Sequence, residues 1–332
     1  MDFRYSDDNL PIFSPEPWEL TLFEDPQDLF SLVRIKPDLE DEVEKALRNA
    51  PEETLLPAVT FALQGIHRGA LLLACRLSGE RQLKAVIPDL VQLVKTGTPE
   101  EQYHAALALG SLHYIEIIPE VRNLLSIKLS PYPMAYALLK FGPEGENCLI
   151  EAANSPDPAV RASACEVLSL VNDSRAIEIL NERIDDKESK VRSASLFALS
   201  MLKDPVYFEV FASRLSKVPE GSSAALGLAR LGSEACDYLI ECVRSHPDAM
   251  ARYHALRGLG STHYPPSLAA FIAALDDSNP TIQREAVQRI GQWGDPKVAR
   301  YLERFMMDSD PQMQVALKRA FHALRLSQSY LP

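Results

Sequence analysis

Nowhere in the sequence do about 20 uncharged apolar residues stand in a row, the length a membrane helix requires, so no transmembrane span is expected. The start, Met1-Asp2-Phe3-Arg4-Tyr5-Ser6-Asp7-Asp8, is acidic and lacks the apolar stretch of a secretory leader, which predicts a cytoplasmic protein. There is no Lys/Arg cluster or stripe and the net charge is −12, a balance that argues against a nucleic-acid partner. The five cysteines form no C-x-x-C pair, and an odd number within helical patterns reads as small buried side chains in a reducing compartment. G-x-S-x-G, G-x-G-x-x-G, phosphate-loop and H-E-x-x-H motifs are missing from any fitting context, so no catalytic, cofactor-binding or metal-binding residue is assigned. Nothing in the pattern calls for a strand.

What is present is helical periodicity, punctuated by 24 prolines. Most of those prolines fall at expected helix starts, where the missing N–H costs nothing. Charge is distributed unevenly: residues 1–60 hold 15 acidic and 5 basic side chains, a balance of −10, so the remainder is nearly neutral. Residues 1–37 combine acids, prolines and aromatics without a sustained period and read as an extended N-terminal arm, serving as a cap over the first repeats or as a recognition segment. Residues 38–332 are read as one helical array. Its first members, Asp38–Asn49 and Glu53–Gln64, are expected to form an atypical opening pair.

The array is clearest between Asp157 and Pro205. Asp157-Pro158-Ala159-Val160-Arg161 is followed by Ala164, Val167, Leu168, Ser169 and Val171, and Lys190-Val191-Arg192 by Ser195, Ala198, Leu199, Ser200 and Leu202. Apolar or small residues at i, i+4, i+7, i+8 and i+11 line one face of a helix. Positions equivalent to Arg161 fall at Ala70, Gln102, Met134, Arg192, Ala224, Arg252, Gln283 and Gln314, 27 to 32 residues apart. Eight residues after each of these except the last stands a Gly or Ser. Asp157-Pro158, Asn279-Pro280 and Asp310-Pro311 place a capping side chain before a helix-starting proline. The alternate helices are expected at Leu83–Val94, Ile118–Leu129, Cys148–Asn154, Ala176–Ile184, Val206–Leu215, Tyr238–Ser245, Leu268–Leu275 and Lys297–Met307. Asp157 with Arg161, and Asp248 with Arg252, are expected to pair along their own helices.

Val160-Arg161-x-x-Ala164 and Arg252-x-x-Ala255-x-x-x-Leu259-Gly260 resemble the second helix of HEAT repeats, in particular the compact HEAT-like units of the phycobilisome-lyase type. The resemblance covers about residues 50–327. It implies an all-α protein, an α-solenoid of about nine to ten HEAT-like helix pairs, with an inner surface built by the second helices. Relative to Arg161, positions +1, +5 and +8 are expected to face that groove. Tyr103, Leu107, Leu139, Phe197, Tyr253, Arg257, Arg284 and Arg319 are the candidate binding residues, apolar early in the chain and basic in its last third. They call for a protein or peptide partner that is apolar with an acidic end.

Tyr103-His104-Ala105 with Leu109-Gly110-Ser111 and His113-Tyr114 recurs as Tyr253-His254-Ala255 with Leu259-Gly260-Ser261 and His263-Tyr264, identical at eight of twelve positions. This distantly resembles deoxyhypusine hydroxylases, HEAT-like enzymes whose halves each supply His-Glu pairs to a di-iron centre. The match departs where the ligands would stand, since Tyr-His replaces His-Glu, and Glu101 and Glu116 have only Ala251 and Pro266 opposite them. His104 and His254 are therefore expected to hydrogen-bond between adjacent repeats, as second-rank candidates. Taken together, the expected function is a non-catalytic interaction scaffold or adaptor. The alternatives are a HEAT-like lyase or hydroxylase and a cytoplasmic immunity protein that neutralises a toxin.

Overall fold

Short polar side chains in front of prolines start these helices. Asp157 accepts the Ala159 amide at 2.8 Å, Asn279 that of Thr281 at 2.9 Å, and Asp310 that of Gln312 at 2.9 Å. Thr98 and Glu101 close a reciprocal capping box. In the computed structural model, residues 30, 40–65, 67–126 and 131–324 are described, and among them every regular element is helical. Of the arm expected at 1–37, Phe30 alone is described, and it is 3% exposed; the remainder lies outside the described residues.

Contacts divide the chain into two units, residues 1–149 and 150–332. The first contains α1 (Glu40–Asn49), α2 (Glu52–Leu63), α3 (Arg68–Glu80), α4 (Ile87–Thr96), α5 (Pro99–Ser111), α6 (Ile118–Asn123) and α7 (Pro131–Leu139). Here α2 packs on α3, α4 on α5 and α6 on α7, while the second helices α3, α5 and α7 pack in series. Helix α2 pairs with α3, and α1 is tied to α3 through Arg48–Glu80 at 2.8 Å and Arg76–Glu44 at 3.1 Å.

Helix α8 (Pro143–Ala152) spans the division. The second unit continues with α9 (Pro158–Leu168), α10 (Ser174–Arg183), α11 (Ser189–Leu202), α12 (Phe208–Ala212), α13 (Gly221–Arg230), α14 (Ser233–Ser245), α15 (Ala249–Leu259), α16 (Ser267–Ala274), α17 (Pro280–Gln292) and α18 (Pro311–Ala323). Its second helices α9, α11, α13, α15, α17 and α18 each pack against the next. Two expected first helices begin five residues early, at Pro143 and Ser233, each just after a glycine at positive φ, Gly142 at 65° and Gly232 at 114°. The helix expected at Lys297–Met307 is a pair of 3₁₀ turns, Pro296–Tyr301 and Glu303–Phe305.

The series of second helices depends on close approach. A methyl on Gly110 would stand 2.6 Å from Lys140 Cβ, and one on Gly291 would stand 2.5 Å from the Ala320 Cα. Position +8, expected to face the groove, is buried at Ser78, Gly110, Ser200 and Gly291.

A ladder of side chains fixes the loops. Arg161 donates to the Ser155 and Pro156 carbonyls at 2.9 and 3.1 Å and, bidentately, to Asp186 at 2.9 Å. Arg252 repeats this with His246, Pro247 and Asp277 at 2.7 to 3.1 Å. Arg192 donates to the Asp186 and Lys187 carbonyls and to Glu220 at 2.8 Å, and Gln283 and Gln314 reach the equivalent carbonyls of Asp277 and Asp308. This corrects the expected pairs within one helix. Asp157 and Asp248 use their carboxylates to cap the first-turn amides of their own helices, and each arginine reaches an aspartate 25 residues ahead.

Candidate functional site

The +1 and +5 side chains of the second helices lie between neighbouring helices, and how far they are covered depends on how closely those helices approach. In the first unit Leu71 and Cys75 of α3 and Ala135 of α7 are buried, which removes them from any open face. Tyr103 and Leu107 on α5 and Leu139 on α7 are half-buried. His104 is half-buried, edge-on to the Tyr103 ring at 5.2 Å. In the second unit Ala225 and Ala229 of α13 are buried, again in place of an expected exposed position, because small residues let α13 and α15 close up: Gly258 runs against the Ala225 carbonyl. Phe197 on α11 is half-buried, with the Arg230 guanidinium over its ring at 5.5 Å.

Towards α18 the packing opens. A cleft of about 470 Å³ runs across the faces of α15, α17 and α18, lined by Tyr253, Arg284, Glu285, Gln288, Gln312, Val315 and Arg319 among others. Three of its residues, Tyr253, Arg284 and Arg319, are sequence candidates, and a fourth, Arg257, stands beside it with its guanidinium over the Tyr253 ring at 5.8 Å. Val315, at the +1 position of α18, is 49% exposed. Thr281 and Gln312 were not among the candidates. Both stand at −2, one turn before +1, so a helical stripe through −2, +1 and +5 identifies them.

The charges are unequal. Glu285, 8% exposed, accepts from Arg289 Nε at 2.7 Å and lies 3.9 Å from Arg257. Arg284 pairs with Asp310 at 2.7 Å and donates to Thr281 Oγ1 at 3.1 Å. The Gln312 amide first, and then Arg284, hold the Asp310 carboxyl below the usual carboxylate range. Arg319 is exposed and has no carboxylate partner among the described residues. Four guanidiniums, at Arg257, Arg284, Arg289 and Arg319, thus stand in and around the cleft against the carboxylates of Glu285 and Asp310. Among the described residues the excess is positive and one guanidinium, that of Arg319, has no carboxylate partner.

His254 takes a different role from Tyr253 beside it. It is 3% exposed, and its Nδ1–H donates to the Leu215 carbonyl at 2.8 Å, from α15 to the segment between α12 and α13. Burial, only partly offset by that bond, depresses its pKa. The unfolded chain therefore binds a proton that the folded chain refuses, so stability rises with pH through this range and is lost below the ordinary histidine value near 6.5. We expect the urea midpoint of the second unit to fall from pH 7 to pH 5, and His254→Gln, which keeps an N–H donor, to flatten that slope. A slope unchanged by the substitution contradicts the assignment. Burial lowers the His104 pKa in the same direction. Among the described residues no three His, Cys, Asp or Glu side chains converge as a metal-holding group.

A family model of HEAT repeats matches residues 146–229 and 236–325. No curated protein matches the sequence. Solved structures that resemble the chain include YibA of E. coli, 14% identical with a TM-score of 0.37, covering 87% of this chain and 97% of that one. Kap95p, in a structure describing its effect on RanGDP, is 13% identical with a TM-score of 0.45, covering 92% of this chain and 51% of that one. Human deoxyhypusine hydroxylase in complex with glycerol is 16% identical with a TM-score of 0.31, covering 88% and 98%. Likeness at this level is one of repeated helix pairs and carries no activity across.

Proposed function

The chain belongs to the HEAT-repeat family, and we propose that it is a non-catalytic scaffold that captures a protein or peptide partner in the cleft of its second unit. The observation that carries the reading is the cleft across α15, α17 and α18, with an apolar floor at Tyr253 and Val315 and the uncommitted Arg319 at its edge. An apolar side chain gains by leaving water on such a floor, and a carboxylate beside it meets the surplus guanidinium charge. The partner is accordingly a segment that is apolar with an acidic end. On the same reading Tyr103, Leu107, Leu139 and Phe197 serve as secondary contacts in their own units.

A cytoplasmic site of action is part of the proposal. It is supported by five cysteines that are all buried and unbonded and by described helices of which none is long and apolar enough to cross a membrane. The hydroxylase alternative rested on the paired Tyr-His motifs. In the second of these His254 is buried and donates its Nδ1–H to the Leu215 carbonyl, a contact that ties α15 to the segment before α13.

Display selection of random peptides against the purified chain tests the proposal. The expected consensus is an aromatic or branched aliphatic residue followed within a few positions by Asp or Glu. Combined Arg257→Glu and Arg319→Glu should lower the affinity of selected peptides at least tenfold, since each reversal turns an attraction into a repulsion of order 1 kcal/mol. A consensus without acids, or one indifferent to the two reversals, contradicts it.

A further inference from the structure

Away from the cleft, α9, α11 and α13 carry two charges that the fold leaves without counterparts. Glu166 stands at +5 of α9 and Phe197 at +5 of α11, equivalent positions on two second helices that pack together. Glu166 is half-buried and has no hydrogen bond or ion pair among the described residues, and burial pushes its carboxyl above the usual range. From the other side Arg230, the last residue of α13, reaches back over α11. Its guanidinium lies over the Phe197 ring at 5.5 Å and donates to Ser200 Oγ at 2.6 Å. It too is half-buried and meets no carboxylate among the described residues, and burial pushes its pKa down. The other arginines of these second helices differ: Arg161, Arg192, Arg252 and Arg284 each meet a carboxylate at 2.7 to 2.9 Å.

A desolvated charge without a counterion is held at a cost in free energy, and these two do not relieve each other across α11. A ligand that brings a cation to Glu166 and an anion to Arg230, with an apolar side chain against Phe197, removes both costs at once. The spacing sets its length. Packed helices stand ~8–10 Å apart, which separates Glu166 from Phe197, and the guanidinium lies 5.5 Å from that ring, so the two charges are at most about 15 Å apart. An extended chain rises ~3.3 Å per residue, so long side chains three or four positions apart, ~10–13 Å along the backbone, bridge them. We propose that the face of α9, α11 and α13 is a second docking site, taking an extended segment of a protein partner with a basic and an acidic residue three or four positions apart and a large apolar residue between them.

The test is display selection of random peptides on the full chain carrying Arg257→Glu and Arg319→Glu, which removes the attraction of the cleft for acids. The expected consensus pairs Lys or Arg with Asp or Glu at that spacing, around an aromatic or branched aliphatic residue. One selected peptide, labelled with fluorescein, is then titrated by anisotropy. Glu166→Gln and Arg230→Gln should each lower its affinity about fivefold, and Phe197→Ala about tenfold, at unchanged helical circular dichroism. The exchange of Glu166→Lys with Arg230→Glu should reject that peptide and accept its counterpart with the two charges swapped. Selection that yields no binder overturns the proposal, as does a consensus without the base and acid pair, or a selected peptide indifferent to both Glu166→Gln and Arg230→Gln. Since the cleft is disabled in this receptor, each of these results leaves the reading of the cleft where its own test puts it.

Discussion

Asp186→Ala should destabilise the second unit by about 3–5 kcal/mol, the cost of leaving a buried guanidinium without its partner. The side chains of Arg161 and Asp186 are each only 7% exposed, and their two hydrogen bonds join α9 to the loop before α11. Burial alone would raise the Asp186 carboxyl, but the hydrogen bonds from Arg161 and the Glu188 amide, with the nearby positive charge, outweigh it and hold the group below the usual range. Removing both partners should cost less than removing one. Arg161→Met with Asp186→Leu leaves no uncompensated charge; the groups that lose a partner are the Ser155 and Pro156 carbonyls and the Glu188 amide, all of them neutral.

The pH dependence separates this ladder from His254. A carboxylate whose folded pKa is lowered contributes stability that is complete above its unfolded value near 4 and is lost as pH falls through the lower folded value. Asp186 and Asp277, both lowered in this way, should therefore govern a decline below pH 4, whereas His254 governs one beginning near 6.5. Acid titration of urea midpoints should show two stages in the wild type. The upper stage should shrink in His254→Gln, leaving the contribution of His104, and the lower one should shrink in Asp186→Ala.

Gly221→Ala is expected to cost about 2–4 kcal/mol, although it adds one methyl to a helix. Gly221 is the first residue of α13, buried where the His254 ring reaches the Leu215 carbonyl. A Cβ there would press on His254 Nδ1 and stand 2.5 Å from the Leu215 oxygen, which is backbone and has little room to retreat. The methyl must therefore part the hydrogen bond that joins α15 to the preceding segment. Loss of exchange protection in the first turn of α13 and a lowered urea midpoint would register it. In a His254→Ala background the same substitution should cost less, and the difference measures the coupling between the two residues.

These two residues also show what a single sequence reveals and what it leaves hidden. Val160, Ala164 and Val167 were legible as a buried face because burial repeats every turn and every unit, so one pattern confirms another. The constraint on Gly221 was not legible, because it comes from a ring 33 positions later that no local pattern exposes. The partner of Arg161 was missed for a similar reason: Asp157, four residues away, is the nearer choice in sequence, but its carboxylate is already occupied by the Ala159 amide. The recurrence of aspartate six places before Arg192 and before Gln283 was the available signal, since the same register at Asp186 and Asp277 implies one shared contact.

The cleft was partly legible. Tyr253, Arg284 and Arg319 followed from helical phase, and Thr281 and Gln312 were missed because the first turn of each second helix was left out of the stripe. Phase alone did not reveal that Leu71, Cys75, Ala225 and Ala229 are covered, because coverage depends on how near the next helix comes, and glycines such as Gly258 set that distance across the interface.

The docking account turns on surplus positive charge at an apolar cleft. Its most direct test is the dissociation constant of one display-selected peptide for the wild-type chain, Arg319→Lys and the Arg257→Glu/Arg319→Glu double variant, at 0.1 M and 1 M salt. The account predicts near wild-type affinity for Arg319→Lys, a loss of at least tenfold for the double variant at 0.1 M, and a much smaller gap at 1 M, where screening acts over ~3 Å. Equal affinity of all three proteins at both salt concentrations would contradict it.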